Sequence, residues 1–199
     1  MRVTKIREDI WKFKGVGSVY LIKNNDKWVL VDAGDFEDRE FLRREISRIV
    51  DLDSVDIVLL THLHRDHLAC LDLFPNAEVY ASAEEIEDYM KDAKGFHFFV
   101  SDEIDGILRK KMRSLPEQIE GMEVLKVPGH TRGSVAFLDR TRKILFSGDS
   151  IFGGDIIGRS DFANSSPEEM EKSVGMLRKL IADEGLGLCP GHGYWEDKC

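Results

Sequence analysis

Cysteine is scarce. The chain has three, Cys70, Cys189 and Cys199, too few and too widely spaced for a disulfide framework or a zinc ribbon. No apolar run approaches the length needed to span a bilayer. The opening stretch, Met1 to Phe13, mixes charges with β-branched residues and has no apolar segment followed by small residues. It is not read as a secretory signal, and the expected location is the cytoplasm. Positive charge is short as well: 28 basic against 37 acidic residues give a net charge of −9. That balance excludes nucleic acid and anionic membrane as expected partners, since the basic cluster from Arg109 to Arg113 reads as the solvated face of a helix. Internal repeats and low-complexity linkers are missing too, so residues 1–199 are read as one domain.

What is present is a globular composition, 42% apolar and 33% charged. Ser18 to Ile22 and Trp28 to Val31 read as strands joined by a hairpin turn at Asn24-Asn25-Asp26. Asp32 to Asp35 reads as a turn that also caps the next element, a helix with Phe41, Leu42, Ile46 and Ile49 at helical spacing. A buried-looking strand, Val55 to Leu60, then delivers the chain to Thr61-His62. Further strands are expected at Glu78 to Ala81, Met122 to Val127, Val135 to Leu138, Ile144 to Phe146 and Leu186 to Cys189. Helices are expected over Ala83 to Lys91, capped by Ser82, over Asp102 to Arg113, and over Pro167 to Ile181, capped by Ser166. The pattern suggests two mixed sheets packed face to face with helices outside, an α/β arrangement.

Five of the six histidines fall in tight local patterns, each just past a predicted strand, where loops carry function. The densest is Thr61-His62-Leu63-His64-Arg65-Asp66-His67. Read as an extended segment, it points His62, His64 and Asp66 one way and turns His67 aside. Imidazole and carboxylate are suitable ligands for zinc and other first-row metals, and so many such groups within six residues are costly to bury without a partner. The others are His130 in Pro128-Gly129-His130-Thr131, and His192 in Pro190-Gly191-His192-Gly193; Asp149 follows Gly148.

This ordered set, with Val31-Asp32-Ala33-Gly34 before it, resembles the metallo-β-lactamase superfamily over residues from about 18 to 194. The resemblance implies a four-layer αββα sandwich with metal ions at one edge. It implies that His62, His64 and His130 hold one ion, that Asp66, His67 and His192 hold a second, and that Asp149 bridges them, with Asp66 also the candidate catalytic carboxylate. Asp32 is read either as orienting a ligand or as a turn cap. The implied cofactor is a pair of divalent ions, zinc first, with iron or manganese as alternatives. The implied reaction is attack by a bridging hydroxide, and a net positive site favours substrates that are anionic or become so in the transition state.

Gly158-Arg159-Ser160-Asp161-Phe162 is similar to an element of single-domain glyoxalase II-like thioesterases and of persulfide dioxygenases. The expected function is therefore hydrolysis of a thioester or similar small acyl substrate. The alternatives are an iron-dependent persulfide dioxygenase using His62, His130 and Asp149, a lactonase, and a metal-binding protein without activity. The helical domain that binds glutathione in full-length glyoxalase II would follow His192, which leaves glutathione dependence open. Arg159 is read as steadying its loop, with contact to an anionic substrate as the alternative; Cys70 and Cys189 are read as buried structural thiols, with Cys70 facing the site as the alternative; Tyr194 is read as lining the pocket, donating to an oxyanion, or packing. His97, in the aromatic stretch 95–99, is read as core packing, with a substrate wall or dimer contact as the alternatives.

Overall fold

The computed structural model describes residues 1–91, 100–153 and 156–193, folded around two mixed sheets. His97 with the 95–99 stretch, Tyr194 and Cys199 lie outside the described residues. The first sheet comprises, in chain order, β1 (Arg2–Arg7), β2 (Ile10–Lys14), β3 (Ser18–Asn24), β4 (Lys27–Val31), β5 (Ile57–Leu59), β6 (Glu78–Ala81) and β7 (Met112–Ser114). Its first four strands are antiparallel, and from β4 to β7 pairing is parallel. Parallel neighbours need crossovers, and these carry α1 (Arg39–Ile46), α2 (Arg65–Leu68), α3 (Ala83–Lys91) and α4 (Asp102–Lys111). The second sheet is made of β8 (Gln118–Ile119), β9 (Met122–Lys126), β10 (Val135–Asp139), β11 (Ile144–Gly148) and β12 (Gly187–Pro190). There β12 lies parallel to β11, reached through α5 (Pro167–Glu184).

Alternation along the strands fixes the layers. Val19 and Leu21 of β3 face one apolar cluster, shared with Phe41, Leu42 and Ile46 of α1 and Leu108 of α4. Tyr20 and Ile22, one residue out of step, face a second cluster, shared with Phe137 and Phe146 of the other sheet. Ala136, Leu138 and Leu145 turn outward from that sheet into a third cluster, against Met170, Val174 and Leu177 of α5. Three interlayer cores make four layers, helices–sheet–sheet–helices. Phe137 is fully buried between the sheets, and truncation there to alanine would cost about 3–5 kcal/mol.

The structure corrects the sequence reading at three places. Residues 65–68 are a short helix, not extended chain; His64 (φ −71, ψ 146) is the last extended residue before it. The helix expected to reach Arg113 stops at Lys111, because Met112 to Ser114 pair in parallel with β6 as an edge strand. Two strands, β1 and β2, extend the first sheet where the reading placed none. Among the described residues, no helix is long and apolar enough to cross a membrane.

Candidate metal centre

The ends of β4, β5, β9, β11 and β12 open on one edge of the sandwich, and each contributes to one cluster. Asp32 follows β4; Thr61 and His62 follow β5; Asp66 and His67 sit on α2; His130, Asp149 and His192 follow β9, β11 and β12. Donor atoms come together in three sets, each with all its atoms within 4.8 Å of one another: His62–His64–His130, His62–His67–Asp149 and Asp66–His67–His192. All seven residues singled out in the sequence are brought together.

The donor set fits metal ions. A tetrahedral ion with bonds of about 2.0–2.1 Å sets its donors roughly 3.3–3.4 Å apart. The spacings here are 3.1 Å from His192 Nε2 to Asp66 Oδ2, 3.3 Å from His192 Nε2 to Asp149 Oδ2, 3.4 Å from His67 Nε2 to Asp149 Oδ1 and 3.5 Å from His130 Nε2 to Asp149 Oδ2. His64 Nδ1 and His130 Nε2 are closer, at 2.8 Å, a hydrogen-bond distance that must open by roughly 0.5 Å if both are to bind one ion. His62 Nε2 is buried in the middle of the imidazoles and finds no hydrogen-bond partner among the described residues. A buried nitrogen in that condition is costly unless a cation takes its lone pair.

Outward-facing ring nitrogens show how the lone pairs are aimed. His130 Nδ1 donates to the Arg159 carbonyl at 2.6 Å and His192 Nδ1 to the Val16 carbonyl at 2.7 Å. A carbonyl only accepts, so in the neutral rings both protons sit on Nδ1 and both Nε2 lone pairs point inward. His67 Nδ1 is 2.8 Å from Asp32 Oδ2. Asp32 also accepts from the Thr61 amide (2.8 Å) and hydroxyl (3.0 Å), and the Thr61 oxygen in turn accepts from His62 Nδ1 (3.0 Å). One carboxylate thus orients His67 directly and His62 through Thr61, the arrangement that fixes tautomer and ring direction at metal sites. Asp32 is buried, with a left-handed backbone (φ 60), and its carboxylate bonds go to His67 and Thr61; the cap of the following turn is Asp35, which accepts from the Glu37 amide. Two glycines leave room for the cluster. A Cβ on Gly148 (φ 51) would sit 2.8 Å from Thr61 Cβ, and one on Gly191 would sit 2.2 Å from Asp149 Oδ1.

The imidazoles divide electrostatically. Burial, reinforced by the neighbouring histidines, pushes His62 well below its usual range, and burial likewise lowers His130. Burial opposes charge on His67 too, but Asp149 and Asp32 outweigh it and hold that ring well above the usual range. His192 is pushed up to about 10, its burial overcome by hydrogen bonds to Asp149 and Asp66. Asp66 and Asp149 are held well below the carboxylate range despite their burial, Asp66 chiefly by its hydrogen bond to His192 and Asp149 by the charge of His67. Without a cation, protons on His67 and His192 neutralise the carboxylates.

Sequence reasoning missed Glu85, on α3. Its side chain is fully buried, and its two oxygens accept from the Leu63 amide (2.8 Å) and the Gly133 amide (3.1 Å). It therefore ties the loop carrying His62 and His64 to the loop carrying His130. Its place three residues after the capping Ser82 makes it look like an ordinary first-turn glutamate. Cys70 and Cys189 are buried and outside any disulfide, as expected; Cys70 Sγ donates to the Asp35 carbonyl at 3.0 Å, and burial pushes its thiol up to about 12. The Arg159 guanidinium is paired with Asp161 at 2.9 Å and lies over Phe162, steadying its own loop.

Comparison with known proteins identifies the family and the fold. A family profile for the metallo-beta-lactamase superfamily matches residues 13–192. The hydroxyacylglutathione hydrolase GloC of Haemophilus influenzae is 31% identical over 165 residues, covering 76% of each chain. A hydroxyacylglutathione hydrolase of Aeromonas salmonicida is 30% identical over 183 residues, and there the match spans 88% of this chain but 61% of the relative. The crystal structure of TTHA1623 in a di-iron-bound form superimposes with a TM-score of 0.68 at 26% identity, covering 94% of this chain and 92% of that one. The four-layer fold, the ordered motifs and this match over most of the chain together establish that the protein belongs to the metallo-beta-lactamase superfamily.

Proposed function

We propose that the protein is a metal-dependent hydrolase that holds two divalent ions and cleaves a thioester or similar small acyl substrate. The observation that carries the two-ion reading is the position of Asp149. Its Oδ1 lies 3.4 Å from His67 Nε2, while its Oδ2 lies 3.5 Å from His130 Nε2 and 3.3 Å from His192 Nε2. One carboxylate thus reaches donors of both triads. In this reading His62, His64 and His130 hold one ion, Asp66, His67 and His192 the other, and Asp149 is shared. The nitrogen and carboxylate donors suit zinc, iron or manganese, and TTHA1623 was crystallised with iron.

Divalent ions bound in such a pair supply Lewis acidity and lower the pKa of water to about 7. The chain's own groups do the rest. Asp32 and Thr61 hold the ring nitrogens of His67 and His62 in register. Asp66 and His192 border the cleft beside the cluster, and Asp66 takes the proton released as water adds to the acyl carbon. The carbon–sulfur bond then breaks, the departing sulfur takes that proton from Asp66, and the products are a carboxylic acid and a thiol. The hydroxyacylglutathione hydrolases among the relatives support a thioester. The net charge of −9 supports a small-molecule partner over nucleic acid.

The test is to strip the protein of metal and reload it separately with zinc and with ferrous iron. The zinc form is expected to cleave lactoylglutathione or a simple acyl thioester without oxygen. Oxygen consumption on glutathione persulfide by the iron form alone, with no thioester cleavage by either, would reverse the reading in favour of a dioxygenase.

A further inference from the structure

The cleft beside the candidate metal centre, about 510 Å³, has Val16, Phe152, Ile156, Ile157 and Phe162 as its apolar wall. Of the seven large apolar residues exposed among the described residues, three (Val16, Ile156 and Ile157) line this one cleft. Exposed apolar side chains gathered in one concavity mark a ligand surface more than scatter does. The wall also reaches the reacting end. Phe162 stands edge-on to His64 and His130, with ring centres 5.1 and 5.6 Å away, and Phe152 stands edge-on to His192 at 5.8 Å. A group attached to the reacting carbon would lie along this wall.

Charge on the same surface is already compensated. The cleft's two arginines among the described residues are Arg65 and Arg159. Arg65 is held by Asp35, itself buried, with two of its nitrogens 3.0 Å from one oxygen. Arg159 makes a two-pronged pair with Asp161 at 2.9 Å. Neither offers an uncompensated charge to a carboxylate on the substrate. A glutathione conjugate carries two carboxylates and one ammonium on its thiol portion, and the described lining offers those carboxylates no arginine that is not already paired.

From this we infer that the cleft selects an uncharged, apolar acyl group and, with both arginines compensated, a thiol portion without charge, so that the substrate is a neutral acyl thioester and not a glutathione conjugate. The inference rests on the hydrolytic reading above and narrows its substrate. Negative charge in the substrate is then confined to the reacting carbonyl as it is attacked, next to the donor cluster.

Two ladders test it on the metal-loaded protein. In the first, N-acetylcysteamine thioesters from butyryl to octanoyl are assayed beside lactoylglutathione. In the second, the corresponding S-alkyl thioethers, which cannot be hydrolysed, are bound by calorimetry. Burial of each methylene along the wall is expected to raise kcat/KM, and thioether affinity, by about two- to fourfold. Octanoyl thioester is expected to exceed lactoylglutathione. The double substitution Ile156→Ser with Ile157→Ser, at two surface-accessible positions, is expected to flatten both ladders. If thioesters are cleaved but the ladder is flat, or lactoylglutathione is the better substrate, the inference is overturned while the hydrolytic reading stands. If no thioester is cleaved yet thioether binding climbs with chain length, the apolar cleft stands and the thioester reading falls.

Discussion

The two halves of the donor cluster are built on opposite electrostatic terms. The triad of His62, His64 and His130 is almost wholly buried and consists of imidazoles alone; burial keeps His62 and His130 neutral. The triad of Asp66, His67 and His192 lies nearer solvent, with Asp66 28% and His192 15% exposed at the side chain; Asp149 and Asp32 draw a proton onto His67, and Asp149 and Asp66 draw one onto His192. One half presents lone pairs ready for a cation. The other is held to Asp66, Asp149 and Asp32 by protons, some of which a cation must displace. Buried neutral donors and exchangeable ionic ones therefore coexist a few ångströms apart, and Asp149 touches both.

Removing the shared group erases the contrast and has the largest expected effect. Asp149→Ala should release the second ion and weaken the first. Hydrolysis should fall by at least the about 10²–10³-fold cost of losing one transition-state donor. Metal content by elemental analysis and kcat on the same sample would check both halves of that statement.

Smaller changes should separate the triads. Asp32→Asn removes a charge-assisted partner of His67 and should lower affinity for the second ion about 10–100-fold, with a lesser effect on the first through Thr61 and His62. Glu85→Gln should act the other way round. An amide has one acceptor oxygen where the carboxylate uses two, so either Leu63 or Gly133 loses its acceptor. The first ion should then bind about tenfold more weakly and the second almost unchanged. Competition against a metal-binding dye would read the two affinities separately, and equal losses at both sites in either variant would contradict the division.

Acidity offers the mildest probe. In metal-free protein, His67 and His192 have pKa values raised above the unfolded value of 6.5, so their contribution is full below pH 6.5 and is lost as pH rises, for His192 through about 10. His62 and His130 have lowered values, so their contribution is full above pH 6.5 and is lost as pH falls. Melting temperature without metal should therefore peak near pH 6.5 and decline on both sides. A monotonic rise or fall from pH 5 to 9 would mean that one triad dominates.

The sequence made most of this legible because both signals are local. Strands such as Ser18 to Ile22 and Ile144 to Phe146 carry continuous apolar runs bounded by turn residues, and each candidate ligand stands in a short motif just beyond a strand end. What escaped depends on pairing across distance. Met112 to Ser114 continues a helical charge pattern and becomes a strand because β6 offers an open edge. Arg2 to Arg7 alternates charges with single apolar residues, which reads as surface until β2 is seen beside it. The helical turn at Arg65 to Leu68 is four residues long, too short to show a period. Glu85 is ordinary in sequence and acquires its role only when two loops, 48 and 22 residues away, fold onto it.

Whether two unlike triads share Asp149 is decided by stepwise metal titration of metal-free protein. Zinc would be added at pH 7.5 in weak buffer while bound metal and released protons are counted together. Two ions per chain are expected, with the second step releasing more protons than the first, because His67 and His192 are charged at that pH without metal. Saturation at one ion, or two ions taken up with equal proton release, would contradict a shared, unequal pair.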